Sequence, residues 1–308
     1  MDVNSKIIED FIASQLEEWP LAAKNFDALK GVEVKEFDVD GFPIKVQFNP
    51  ARIVSSGAKV DAASLKARKC FLCEENRPAE QRGIAWGDYI ILINPFPIFP
   101  RHLTIPTGHT DQLIEGRIAD MMRLAAQMQG YTVFYNGPRC GASAPDHMHF
   151  QAGNSDFLTI GQALRKVEMN EIASDGSAKL YAVDSLPLKM FVIDATDPKD
   201  GAELFDRLYR AMPVAEGEAE PMMNLLCWAE DGKVRLVVIP RKRHRPSFYG
   251  TEGEGTMLLS PASVDMGGVF ITPRREDFDR MNPDIIRTVF DELCLSSEEL
   301  NKISENVR

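Results

Sequence analysis

The chain has 308 residues, 44% of them hydrophobic and 26% charged, and a net charge of −11 at neutral pH. That composition suits an ordinary soluble protein of one large or two average domains, and its acidity excludes a non-specific nucleic-acid binder, which needs a basic footprint. The longest apolar runs, such as 89–93, are far too short to span a bilayer, so neither nucleic acid nor membrane is expected as a partner.

Residues 5–18 place Ile7, Ile8, Phe11, Ile12 and Leu16 at helical spacing, which predicts a helix with one buried face. The start shows no basic segment followed by an apolar one, so no secretory signal is expected. Residues 33–55 alternate in short runs around Gly41 and predict a β-hairpin and a following strand. The compact segment 69–77 (Lys-Cys-Phe-Leu-Cys-Glu-Glu-Asn-Arg) comes next. Residues 88–94 and 102–106 read as strands joined by the proline-rich link 95–100. Apolar positions at Leu113, Ile114, Ile118, Met121, Met122 and Ala125 predict a helix over 111–129, stopped by Gly130. A strand at 131–135, a glycine-containing loop at 136–145 and a strand at 146–152 follow. In the second half, strands are predicted at 179–184, 189–194, 222–229 and 234–239, a helix at 202–212 and an acidic loop at 213–220. Ser296 or Ser297 caps a last helix with Glu298 and Glu299 in its first turn. Strands followed by helices, with hairpin-like links, indicate an α+β fold on a largely antiparallel sheet.

Five cysteines are present: Cys70, Cys73, Cys140, Cys227 and Cys294. An odd, sparse count argues against a disulfide scaffold and, with no secretory signal, predicts a cytoplasmic location. Cys70-Phe-Leu-Cys73 reads equally as a zinc knuckle, a redox pair or two buried thiols, and a thioredoxin-like reading lacks its βαβ context. A zinc site needs two further ligands; His109 and His147 are the best candidates and His102 a weaker one.

Four of the five histidines, His102, His109, His147 and His149, lie between positions 102 and 149. On a strand, His147, His149 and Gln151 share one face while Met148 and Phe150 point to the core. A lone histidine is as readily a packed core residue; His-x-His-x-Gln directly after a glycine-containing loop asks for more. A neutral imidazole is a good nucleophile toward phosphorus and a good leaving group afterwards, so His149 suits two-step transfer. Gln151 can donate to phosphoryl oxygens as charge develops. The 136–143 loop, with Asn136, Arg139, Gly141 and Ser143, can supply backbone and side-chain donors to the same phosphates. The run 241–246 (Arg-Lys-Arg-His-Arg-Pro) is either a solvated basic turn or a second phosphate clamp through Arg241 and Arg243. The segment 259–268 carries a glycine pair that lets backbone approach closely, without an assigned role.

The run from Asn136 to Gln151 resembles the active-site segment of the histidine-triad superfamily, on the transferase branch that holds the uridylyltransferases and the dinucleoside polyphosphate and GDP-sugar phosphorylases. That resemblance implies a histidine-triad-like antiparallel sheet with flanking helices, built as two related half-barrels in one chain. It implies that His149 becomes nucleotidylated, with Gln151 holding the phosphate and His147 beside it. Gln151 stands where the hydrolase branch has a third histidine, which favours transfer to phosphate or a sugar phosphate. Segment 69–77 is similar to the uridylyltransferase zinc segment, which implies Cys70, Cys73, His109 and His147 as zinc ligands. Ile93-Asn94-Pro-Phe-Pro97 is similar to the nucleotide-binding strand of that group, with Asn94 as a contact. The expected organisation is 1–68 as leading helix and strands, 69–175 as the catalytic half and 176–308 as a half without the nucleophile. The expected partners are a small-molecule nucleotide and phosphate or a sugar phosphate, in a monomer or homodimer. The alternatives are a non-catalytic nucleotide- or zinc-binding protein of the same fold, and a redox dithiol protein.

Overall fold

The structure is a computed structural model that describes residues 2–53, 62–250 and 252–308. Helix α1 (Ser5–Glu18) starts where the Asn4 side chain accepts from the Ile7 amide, and α2 (Pro20–Asp27) opens on a proline whose missing N–H is no loss there. Strands β1 (Glu33–Val39) and β2 (Phe42–Phe48) form the expected hairpin. Its turn residues Asp40 and Gly41 both take positive φ, 53° and 85°, the twist-matching geometry of a two-residue hairpin loop. The strand expected to follow is absent from 50–52, where Pro50–Arg52 is a short 3-10 turn, and positions 54–55 lie outside the described residues.

Among the described residues ten strands make the main sheet: β3 (Gly83–Trp86), β4 (Tyr89–Ile93), β5 (Leu103–Pro106), β6 (Tyr131–Asn136), β7 (His149–Asn154), β8 (Asn170–Asp175), β9 (Ala178–Val183), β10 (Met190–Ala195), β11 (Met223–Glu230) and β12 (Lys233–Pro240). Their spatial order is β3-β4-β5-β7-β6-β11-β12-β10-β9-β8, antiparallel throughout. Read from either edge to the centre, the order is first, second, third, fifth, fourth. A helix links the third strand to the fourth in each half: α3 (Ile118–Gln127) and α4 (Pro198–Ala211). The chain is therefore two copies of one βββαββ topology, joined edge to edge by the β6–β11 pairing into one continuous sheet. The expected boundary at 175/176 falls in the β8–β9 turn; by strand order the second half starts at β8.

One sheet face packs on α1, α3, α4 and the C-terminal helix α6 (Ser297–Val307), through residues such as Met121, Phe150, Phe205 and Leu300. The opposite face packs on the small sheet β1-β2-β13 (β13, Val269–Thr272, parallel to β2) and on α5 (Pro283–Leu293). Two expectations shift. The helix expected over 111–129 is confined to 118–127, because Gly116 takes a positive φ of 72° and the preceding residues form a loop. The strand expected over 146–152 begins only at His149, because the His147 amide turns back to the Ala144 carbonyl at 3.2 Å. No helix among the described residues is long and apolar enough to cross a membrane.

Candidate active site

Strand β7 alternates as the sequence demands. Met148 and Phe150 enter the core on the helical face, while His149 and Gln151 face the other layer beside Phe134, the cross-strand partner of Gln151. His149 is buried, with Nδ1 2.8 Å from the His147 carbonyl oxygen. A carbonyl only accepts, so Nδ1 carries the proton and Nε2 keeps its lone pair. Burial lowers the imidazole from its ordinary 6.5 to about 4, which leaves it neutral at physiological pH. The ring is thus fixed in the tautomer and charge state that a nitrogen nucleophile needs.

His147 does not share that face. It sits in the turn ahead of β7, and its ring is directed at the cysteine pair. The expectation of two imidazoles in a row fails because the strand starts two residues too late to carry both.

Gln151 is oriented by His102, which the sequence left as a weak metal candidate. The link 95–100 folds back so that the Ile98 amide donates to His102 Nδ1 at 3.1 Å. The proton of the neutral ring then resides on Nε2, which donates to Gln151 Oε1 at 3.0 Å. Full burial, reinforced by the Arg52 charge, lowers the His102 pKa to about 3, so the ring stays neutral. This pins the side-chain carbonyl of Gln151 and leaves its NH2 without a partner among the described residues, available to an incoming acceptor. Asn94, opposite His102, shapes the same link: its Oδ1 accepts from the Phe96 amide and its Nδ2 donates to Thr104 Oγ1, both at 3.0 Å.

The loop after β6 is held from the second half of the chain. Asn136 Oδ1 accepts from the Ser263 amide (2.8 Å), the Ser263 hydroxyl (2.7 Å) and Asn224 Nδ2 (3.1 Å). Its own Nδ2 has no partner among the described residues. Gly141, at φ 95°, packs so closely that an added Cβ would lie 2.5 Å from the Ala262 Cβ. The glycine-bearing segment 259–268 thus approaches this loop and the Thr159 turn, where a Cβ on Gly268 would meet the Thr159 hydroxyl at 1.8 Å. Ser143 is half-buried in the loop, and Arg139 is exposed on it, 3.7 Å from Glu218.

The two clamp candidates sit elsewhere. Arg241 is buried, and its terminal nitrogens donate to Asn224 Oδ1 (2.6 Å) and to the carbonyls of Pro261, Arg243 and His244. All four of those terminal hydrogens are engaged, so Arg241 braces the site through them, while its buried Nε has no partner among the described residues. Arg243 extends to Glu292 on α5 at 3.4 Å.

Cys70, Cys73, His109 and His147 converge, with all four ligand atoms within 4.8 Å of one another. Cys70 Sγ lies 3.2 Å from His147 Nδ1, and Cys73 Sγ 3.0 Å from His109 Nδ1. His147 Nε2 donates to the Thr107 carbonyl at 2.8 Å, which leaves Nδ1 free to ligate, the usual outer-shell arrangement of a metal-binding histidine. The donor set fits a metal ion held by four protein ligands.

Sequence reasoning missed several contributors. Arg52 lies beside His102 and donates to the Phe96 carbonyl at 2.6 Å. Ser263 and Asn224 come from far along the chain. Gln112, fully buried in the loop mistaken for helix, reaches the backbone of His149. None of these stands in a local motif, and only folding brings them to β7.

Comparison with known proteins finds two family matches and a set of similar folds. Residues 11–154 match the family described as "Domain of unknown function (DUF4922)", and residues 163–308 match "GDPGP1-like, C-terminal domain". No curated protein sequence matches the chain. Among solved structures, yeast Ap4A phosphorylase Apa2 is similar at 19% identity and a TM-score of 0.58, over 90% of this chain and 94% of that one. The same yeast enzyme in complex with AMP gives 19% and 0.59, over 92% and 97%; in complex with Ap4A it gives 18% and 0.58, over 90% and 97%. The likeness to these structures runs over both halves of the chain and is one of fold: the duplicated antiparallel sheet with flanking helices is a histidine-triad-like α+β fold.

Proposed function

We propose that the protein is a nucleotidyltransferase of the phosphorylase type, acting on a sugar nucleotide or a dinucleoside polyphosphate. The observation that carries this reading is the pair formed by His149, a neutral Nε2 nucleophile, and Gln151, a glutamine aimed by His102. In the first step the Nε2 lone pair attacks the α-phosphorus. The bond from that phosphorus to the bridging oxygen breaks, and the distal phosphate leaves with the electron pair. The Nδ1 proton stays on the ring, held by the His147 carbonyl, so the nucleotidyl-imidazolium is stabilised and leaves readily. In the second step an oxygen of inorganic phosphate or a sugar phosphate attacks the same phosphorus, the N–P bond breaks and neutral His149 returns. The Gln151 NH2 donates to the phosphoryl oxygens, with the Asn136 NH2 and the loop at Gly141 and Ser143 as further donors. Asn94 and Arg139 flank the nucleotide, while Arg241 and Arg243 act at a distance through the fold.

Zinc is the metal the Cys70, Cys73, His109 and His147 set suits best. It would fill a closed structural site that fixes His147, whose carbonyl sets the His149 tautomer. About one equivalent should accompany the purified protein, and Cys73→Ser should lose it; metal-free protein of full activity would refute the site's role.

The test of the function is a panel of sugar nucleotides and dinucleoside polyphosphates, each with and without phosphate. The expected result is ping-pong exchange in which phosphate yields a nucleoside diphosphate. His149→Asn should abolish transfer of labelled nucleotide to the protein. Binding without turnover across the panel would favour a non-catalytic nucleotide-binding protein.

A further inference from the structure

The β6–β7 ladder stops short of the nucleophile. Paired residues run from Tyr131 and Asn154 to Phe134 and Gln151, although β6 continues to Asn136 and β7 begins at His149. Simple continuation would set Asn136 opposite His149. In place of that pair lies the side-chain amide of Gln112, a fully buried residue. Its Oε1 accepts from the His149 amide at 2.8 Å. Its Nε2 donates to the carbonyls of His149 and Asn136, both at 3.0 Å. The amide acts as an inserted peptide group that bonds both strands while holding them apart.

The inserted group is itself fixed. The Gln112 amide N–H donates to the Pro145 carbonyl at 3.2 Å, at the far end of the 136–145 loop. Its own carbonyl accepts from the Tyr135 hydroxyl at 3.0 Å. That hydroxyl also lies 2.6 Å from Oε1 of buried Glu220, whose other oxygen accepts from the Ile114 amide at 2.9 Å. Every hydrogen-bonding atom of Gln112 is therefore used. Its partners are the two ends of the loop, the nucleophile's peptide and the core tyrosine on β6. Few other side chains can do this. Glutamate cannot donate to two carbonyls, asparagine is one methylene short, and an apolar residue leaves three backbone groups unpaired in a dry interior.

We propose that Gln112 is a positioning residue for His149: its amide sets the spacing between the nucleophile and the Asn136 loop, so that Nε2 meets the phosphorus at attacking distance. The inference rests on the reading of His149 as the nucleophile. It assigns Gln112 an effect on the chemical step and little on nucleotide binding, since its side-chain amide is fully buried and spent on the backbone of His149 and Asn136. A misplacement on the order of 1 Å at a reacting atom lowers the rate about 100-fold.

The experiment is rapid-quench labelling with the substrate identified by the panel, on wild type, Gln112→Glu and Gln112→Met. The end-point stoichiometry of label counts active molecules, and the rate constant reports on each of them. A purely structural role would lower the stoichiometry and leave the rate constant alone. The positioning role predicts a labelling rate about 100-fold lower at near-normal stoichiometry, with nucleotide KM changed less than about threefold. Wild-type rate constants in both variants would overturn the role of Gln112 and leave the proposed function standing. A wild-type protein that never labels would overturn both. If neither variant folds, a through-hydrogen-bond coupling between the His149 amide nitrogen and the Gln112 side-chain carbonyl carbon is measured on wild type. Its presence supports the inserted amide, and a solvent-exchanging His149 amide would overturn it.

Discussion

At the scale of single residues, the site is a set of protonation states enforced by backbone partners. The His147 carbonyl puts the proton on His149 Nδ1, and the Ile98 amide puts the proton of His102 on Nε2. His102 does its work at one remove, by turning Gln151. His102→Phe keeps a flat ring near Phe99 and Phe134 but frees the Gln151 amide to rotate. Loss of one oriented donor at a developing phosphoryl charge lowers kcat about 100-fold, with nucleotide KM nearly unchanged. Steady-state kinetics check this, and an unchanged kcat would remove His102 from the account. Much of this layer was legible in advance. His149 and Gln151 stand in a short motif whose spacing reflects strand geometry, and Cys70 and Cys73 in one with knuckle spacing. The orientation of His147 and the role of His102 were not legible, because each depends on one turn hydrogen bond that no periodicity records.

At the scale of elements, the strands facing the site were readable from alternation and the loops between them were not. Segment 111–117 carries Leu113 and Ile114 at helical spacing, yet it is a loop whose apolar and amide side chains fill the space behind β6 and β7. Burial satisfied the hydrophobic pattern without a helix, and Gly116 broke the continuity. Residues 213–220 were readable as an acidic loop, but not that Glu220 would be buried under Tyr135. Burial raises the Glu220 carboxyl from its ordinary 4.5 to about 7, with nearby Glu115 adding to the effect. The folded protein therefore binds more protons than the unfolded chain between those values. The stability from this group is complete below about pH 4.5 and is lost as pH rises through about 7. Glu220→Gln keeps the shape without the charge. Its stability relative to wild type should rise between about pH 5 and about pH 8, by up to about 3 kcal/mol. Denaturant unfolding across that range measures it, and a difference independent of pH would contradict the assignment.

At the scale of the whole molecule, one topology is used twice and only the first copy holds the proposed nucleophile. On β12, which stands in the second half where β7 stands in the first, the corresponding face presents Arg235, closed by a two-pronged pair with buried Asp194. The second half serves instead as a brace. Asn224 and Ser263 reach across the β6–β11 seam to hold Asn136, and Arg241 donates to Asn224 behind them. This division explains why the second half carries no local catalytic motif: its contribution lies in contacts more than 80 residues apart in sequence. The central claim is the covalent step at His149, and peptide mapping tests it most directly. The protein is mixed with its nucleotide substrate in the absence of acceptor, quenched in base and digested, and the fragments are weighed. One nucleoside monophosphate is expected on the fragment containing His149, stable in alkali, lost in mild acid and discharged by phosphate. An adduct on any other residue, or turnover with no adduct at any time, would contradict it.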